Sequence, residues 1–295
     1  MKAELFDRRA CELGEGPFWH PQRQELFWFD ILGGRMLSRG DTTETEHQFN
    51  RMVSAAGWVD ANTLVIASES DLIQYDLTTK RETILCPIES DQPDMRSNDG
   101  RTDPLGGFWI GTMHKETVAE RGAIYRYYRG ELRRLHTGLT VPNAICFSPA
   151  GEWAYFSDTR QRRVFRQPLD MATGWPTGPA EPFLDLRASG DRPERKPDGA
   201  VTDRQGNLWI ALWGSACVTV FAPDGTERHS LPLPTGHTSC PVFGGADLTT
   251  LFVTTARQNL PPEPASWADD AGRVFAFSDA GQGVAPPPVD LTGLP

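Results

Sequence analysis

Six positions in a common register limit this chain to very few architectures. A tight polar turn leads into a β-rich run six times, and the same place in those turns holds Glu15, Ser54, Asn98, Asn143, Asp198 and Cys240. About 11 to 13 residues after each comes an apolar strand anchor, in order Phe27, Val65, Trp109, Tyr155, Trp209 and Phe252, so one supersecondary unit repeats along the chain. Glu15, Asn98, Asn143 and Asp198 each offer a hard oxygen to a cation. Copies arranged around an axis would direct those oxygens at one centre.

The anchors lie in short, continuously apolar runs such as Leu26-Phe27-Trp28-Phe29, Phe108-Trp109-Ile110-Gly111 and Leu208-Trp209-Ile210-Ala211, a pattern that suits strands buried on both faces. Hairpin signals precede several of them, among them Pro149-Ala150-Gly151 and Asp203-Arg204-Gln205-Gly206-Asn207. The repeat length of about 40 to 55 residues is that of a four-stranded propeller blade. The expected fold is therefore all-β, a six-bladed β-propeller of four-stranded blades in a single domain spanning residues 1–295. Pro-rich patches at Trp175 to Pro182 and Pro261 to Pro264 read as inter-strand loops. A ring of sheets needs closure, since open first and last blades expose strand edges. The run Lys2 to Phe6 is expected to add the outermost strand to the last blade, whose other strands lie between Thr238 and Phe277.

The formal charge of −10, from 39 acidic and 29 basic residues, repels phosphate backbones and anionic lipid surfaces, so neither nucleic acid nor membrane is expected as a partner. Basic clusters at Arg160 to Arg163 and Arg192 to Lys196 lack interleaved aromatics and read as solvated loops. The charged N-terminus Met1 to Arg9 is unlike a signal peptide, and no run of eighteen apolar residues occurs. Five scattered cysteines without a C-x-x-C pair fit reduced thiols in a cytoplasmic protein.

Innermost propeller strands line a central channel, so register residues from different blades converge there. Glu15, Asn143 and Asp198 make the strongest set, two carboxylates and an amide carbonyl, suited to calcium or another hard divalent ion. Asn98 either joins them or faces a ligand beside the metal, and Ser54 and Cys240 are expected to line the channel. Other templates fit badly. The six histidines show no zinc spacing, no G-x-S-x-G elbow surrounds a serine, and Gly14-x-Gly16 is not continued as a dinucleotide fingerprint. Of the histidines, His114 is the best placed to touch a ligand.

At these residues the chain resembles the SMP-30/gluconolactonase/regucalcin family of six-bladed propellers, nearly end to end. The matching stretches are Gly14-Glu15-Gly16-Pro17 with Trp19, Arg96-Ser97-Asn98-Asp99-Gly100, Gly111-Thr112-Met113, Pro142-Asn143, Pro197-Asp198-Gly199, and Cys240 through Gly245 followed by Thr254-Thr255-Ala256-Arg257. The resemblance implies one divalent metal held by Glu15, Asn143 and Asp198, most simply calcium, with magnesium, manganese and zinc as alternatives. It also implies sugar contacts from Arg96, Asn98 and Glu116, the acidic residue that follows Gly-Thr-Met. Ala144 stands where many relatives carry Gly, which bears on local backbone geometry.

The expected activity is hydrolysis of a sugar lactone to an aldonic acid, a carboxylic-ester hydrolysis. Metal would polarise the carbonyl and activate water, Asp198 is the candidate general base, and Trp213 is a candidate wall for the sugar ring. Two other readings stay open: a metal-dependent phosphotriester hydrolase, as related propellers are, and a non-enzymatic calcium-binding propeller.

Overall fold

The computed structural model describes residues 1–187, 195–262 and 264–293; Arg192 of the second basic cluster and Glu263 of the second Pro-rich patch lie outside them. Six antiparallel four-stranded sheets form a ring, a six-bladed β-propeller. The inner strands of blades one to six are Gly14–His20, Val53–Asp60, Met95–Thr102, Pro142–Phe147, Lys196–Thr202 and Thr238–Gly244. Each expected anchor falls in the second strand of its blade, as Phe27 does in Glu25–Asp30 and Trp209 in Leu208–Trp213.

The second strands are apolar at successive positions because neighbouring blades cover both faces. In blade one, Phe27 and Phe29 pack towards Trp58, Leu64 and Ile66 of blade two. Leu26 and Trp28 point the other way, against Val242 and Phe252 of blade six. Blades two and three share Val65, Ala67, Phe108 and Ile110, whereas Trp109 turns towards Ile145 and Phe156 of blade four. The core is thus a set of wedges between adjacent sheets, and each second strand supplies one alternating set of side chains to the wedge on either side.

A repeated polar bond fixes the hairpins of blades three and five. Trp109 Nε1 donates to Asp103 Oδ2, and Trp209 Nε1 donates to Asp203 Oδ2, each at 3.0 Å. The other oxygen of each Asp accepts backbone N–H groups of its own turn, from Leu105 and Gly107 in one case and Gln205 and Asn207 in the other. One side chain therefore shapes the turn and anchors the indole.

The N-terminal strand Glu4–Asp7 pairs antiparallel with Val274–Phe277 and completes blade six. Phe6 lies against Phe252 with ring centroids 4.6 Å apart. Beyond the inner strands' far ends, the C-terminal segment crosses the ring, with Val289 N donating to Trp58 O and Trp58 Nε1 donating to Pro286 O. No helix among the described residues is long and apolar enough to cross a membrane.

Candidate active site

The register residues lie within the innermost strands and not in turns. In all six blades the pairing of the inner strand with its neighbour slips by one residue beside the register position, as between Glu15 and Phe18 or between Asn143 and Cys146. Such a β-bulge bends the strand and re-aims a side chain that regular pleating would send into a wedge. Gly16 at φ +55 and Ala144 at φ +55 carry this bend after Glu15 and Asn143. A Cβ on Gly16 would stand 2.0 Å from Ser54 O, so glycine is required there.

At the starting ends of the inner strands a cavity of about 310 Å³ opens, bordered by Glu15, Arg96, Asn98, Asn143, Asp198 and Trp213 among others. A continuous hydrogen-bond chain joins its floor. Arg96 Nη1 donates to Asn98 Oδ1 at 2.8 Å, Asn98 Nδ2 donates to Asn143 Oδ1 at 2.8 Å, and Asn143 Nδ2 donates to Asp198 Oδ1 at 2.7 Å. Three blades are thereby linked. At the opposite ends of the inner strands a second cavity of about 240 Å³ is bordered mostly by apolar residues such as Phe18, Trp58 and Phe243 and is crossed by Val284 to Pro287. Carboxylates converge in the first cavity.

Electrostatics single out the floor. Glu15 is buried, and its described hydrogen bond comes from Gly16 N at 3.1 Å. Burial, reinforced by the nearby Asp99 carboxylate, pushes Glu15 up to about 8. Burial and then Glu15 itself push Asp198 well above the usual carboxylate range. Asp99 is raised to about 6 by burial, and its Oδ1 has no partner among the described residues. Burial lowers the Arg96 guanidinium to about 10, against the pull of Glu15 and Asp198.

This donor set fits a hard divalent cation. Two buried carboxylates that repel one another and have few hydrogen bonds are costly unless a cation pairs with them. The Asn143 carbonyl oxygen accepts from Asn98 and retains a second lone pair, while Asp198 Oδ2 is left beside the bonded Oδ1. All available donors are oxygens, the preference of calcium or magnesium.

The SMP-30/Gluconolactonase/LRE-like region matches residues 13–257. The chain belongs to this family. Its relatives include the calcium-binding protein regucalcin of Agrobacterium tumefaciens, whose crystal structure superposes with a TM-score of 0.93 at 35% identity, covering 98% of this chain and 97% of that one. The 6-deoxy-6-sulfogluconolactonase of Pseudomonas putida is 33% identical over 91% of this chain and 92% of its own length. The Pentonolactonase XacC of Haloferax volcanii is 32% identical over 93% of each.

Within the family frame, Glu15, Arg96, Asn98, Asn143, Asp198 and Trp213 are brought together at one cavity. Trp213 is backed by His237, stacked at 4.1 Å. Glu116 stands exposed in the turn between Lys115 and Thr117, both of which border the cavity, but does not border it itself. His114 does not border it either, and its Nδ1 accepts the Glu116 N–H. Ser54 and Cys240 are fully buried away from the cavity and so fill the axis instead of lining it.

Two supporting residues escape a linear reading. Thr159 Oγ1 accepts from Asn143 Nδ2 at 2.8 Å and donates to Pro197 O at 2.6 Å. It holds the Asn143 amide and the strand that carries Asp198. Arg101 lies beneath the floor and ties three inner strands through Ile145 O at 3.1 Å and Ala200 O at 3.0 Å. Arg101 follows the Arg96 to Gly100 motif on the same strand, but the bulge between Ser97 and Gly100 breaks the strand period, so no spacing marks it.

Proposed function

We propose that this protein is a metal-dependent sugar lactonase that hydrolyses aldono-lactones to aldonic acids. The observation that carries the reading is the pair of buried carboxylates Glu15 and Asp198, repelling one another at the floor of a cavity whose walls carry Arg96, Asn98 and Trp213. Relatives named as lactonases support it. Glu15, Asn143 and Asp198 would hold one divalent ion, calcium in first place. Bound there, such an ion supplies Lewis-acid polarisation of a carbonyl oxygen and a lowered pKa for water.

The chain's own residues do the rest. Asp198 accepts the proton that the attacking water loses as its oxygen bonds to the lactone carbonyl carbon. That proton passes to the ring oxygen as the acyl–oxygen bond breaks, leaving an alcohol and a carboxylic acid. A raised Asp198 would hold its proton and be no base, so it acts only with a cation beside it, which favours the carboxylate. Asn98 orients the Asn143 amide and Arg96 offers donors to the sugar, while Glu116, exposed in the turn beside the cavity, would accept from a hydroxyl only on turning towards its mouth. Trp213 covers an apolar ring face.

The decisive experiment measures acid release from glucono-, xylono-, arabinono- and galactono-lactones, before and after chelation and with each metal restored. Metal-sensitive acceleration over spontaneous hydrolysis is expected. Its absence from every lactone overturns the reading. A second reading is a calcium-binding propeller without catalysis, whose calcium-binding part has support in the Agrobacterium relative, named a calcium-binding protein. Under that reading Asp198→Ala changes stability and has no activity to remove. The free cysteines support a cytoplasmic setting.

A further inference from the structure

We propose that the lactone taken by this cavity carries a second, ionised oxyanion group, and that Arg160 and Lys196 bind it at the mouth. The inference rests on the lactonase reading and narrows its substrate class. The chain as a whole carries a formal charge of −10, yet the cavity wall reverses that sign. Arg96, Lys115, Arg160, Arg162 and Lys196 border it, against the carboxylates of Glu15 and Asp198. A divalent ion held by those carboxylates would balance their charge and leave Arg160 and Lys196 without a counter-charge. A neutral hydroxyl can accept from them, but an ionised oxyanion also supplies the counter-charge that they lack and makes the stronger, charge-assisted bond.

The cations are not equivalent. Lys115 is committed to Glu69 at 3.0 Å and to Pro93 O at 2.8 Å. Arg96 is committed to Ser97 O and Asn98 Oδ1 and lies within the field of Glu15 and Asp198. Arg160 and Lys196 are exposed and have no ion-pair partner among the described residues. Arg160 reaches from blade four to the blade three turn, where its Nη2 donates to Thr117 Oγ1 at 3.4 Å. It directly follows Thr159, the residue that holds Asn143. Lys196 opens the inner strand of blade five two residues before Asp198 and pairs with Trp213, which borders the same cavity.

Arg160 and Arg162 of one basic cluster and Lys196 of the other, read from sequence as solvated loops, therefore border one cavity. The acidic remainder of the surface repels an extended polyanion, while a field focused in a cleft draws in a small anion. The carboxylate formed at the reacting carbonyl is common to neutral and charged lactones, so any binding of it by these cations cancels from the charged-to-neutral ratio.

The test compares kcat/KM for neutral glucono-1,5-lactone with that for three charged lactones: 6-phosphoglucono-1,5-lactone, 6-deoxy-6-sulfoglucono-1,5-lactone and glucaro-1,4-lactone. Phosphate, sulfonate and carboxylate share the same recognition, and the three arms tell which is preferred. At low ionic strength at least one charged lactone should exceed the neutral one by about tenfold or more, the scale of a charge-assisted hydrogen bond. Arg160→Ala and Lys196→Ala should each cut that charged-to-neutral ratio by about tenfold, Arg160→Lys should retain most of it, and added salt should compress it. Thermal melts confirm that the variants fold. Metal-sensitive turnover of the neutral lactone, with no preference for charge in the parent or no loss of it in the variants, overturns this inference and leaves the lactonase reading standing. Failure to hydrolyse any lactone overturns the lactonase reading and this inference with it.

Discussion

Asn143 donates its Nδ2 to the Asp198 carboxylate at 2.7 Å, from the inner strand of blade four to that of blade five. The bond secures one oxygen of a carboxylate that also repels Glu15. Replacing that charge while keeping the shape separates stability from function. Asp198→Asn should raise the thermal midpoint of the chelated protein near pH 7 by about 2–4 °C or more, because a neutral amide spares the folded chain the cost of keeping a buried carboxyl protonated. It should also lower lactone turnover by about a hundredfold or more, since the proton acceptor is lost. Melts in chelator and assays in calcium check both halves, and a lower midpoint in chelator would count against the repulsion.

The same carboxylates set a pH dependence. Glu15 is raised to about 8 from an ordinary 4.5, and Asp198 is raised as well. Above the ordinary value the unfolded chain has released protons that the folded chain still holds, so stability falls as pH rises. In chelator the thermal midpoint should therefore decline from about pH 4.5 to pH 8. Calcium replaces the protons and should flatten that decline, with proton release on calcium addition near pH 7. Midpoints across pH with and without calcium, and proton release on calcium addition in weak buffer, measure the effect.

The ring was legible in the chain because neighbouring blades cover both faces of each second strand. Leu26 to Phe29 had to be apolar at every position to serve two wedges. The register residues were legible through the same anchors, since each sits at nearly the same distance before its own. The bulge beside them was not, because it is a slip in pairing between two strands and has no composition of its own. Thr159 was hidden among polar loop residues, as its role exists only where blade four meets Pro197 of blade five. Arg160 and Lys196 looked like loop charges until the fold set both on one cavity.

The bulges supply a paired prediction. Gly16 and Ala144 follow Glu15 and Asn143 with the same φ of +55, but one is glycine and the other is not. An alanine in the left-handed region is strained by about 1–2 kcal/mol, while glycine gives back part of that through the freer unfolded chain. Ala144→Gly should therefore be stabilising by about 0.5–1 kcal/mol. Gly16→Ala meets Ser54 O at 2.0 Å and should be strongly destabilising, with lactone turnover lost through displaced Glu15. Denaturant titrations of the two variants check the contrast, and equal effects would remove the case for a shared bulge.

Closure of the ring gives the last prediction. Glu4 pairs with Ala276 and Leu5 with Phe275, while Asp7, fully buried, takes an ion pair from Arg9 at 2.8 Å. Arg39 of blade one donates to Phe6 O and covers its ring, so this strand joins the last blade to the first. Deleting Met1 to Arg9 bares the edge of Val274–Phe277 and opens the wedge around Phe252. The thermal midpoint should fall by about 10 °C or more, with aggregation through the freed edge. An unchanged midpoint would mean that the pairing of Thr250–Thr255 with Val274–Phe277 suffices for blade six. Ring closure would then rest on the packing of Trp19 against Phe252, with ring centroids 5.9 Å apart.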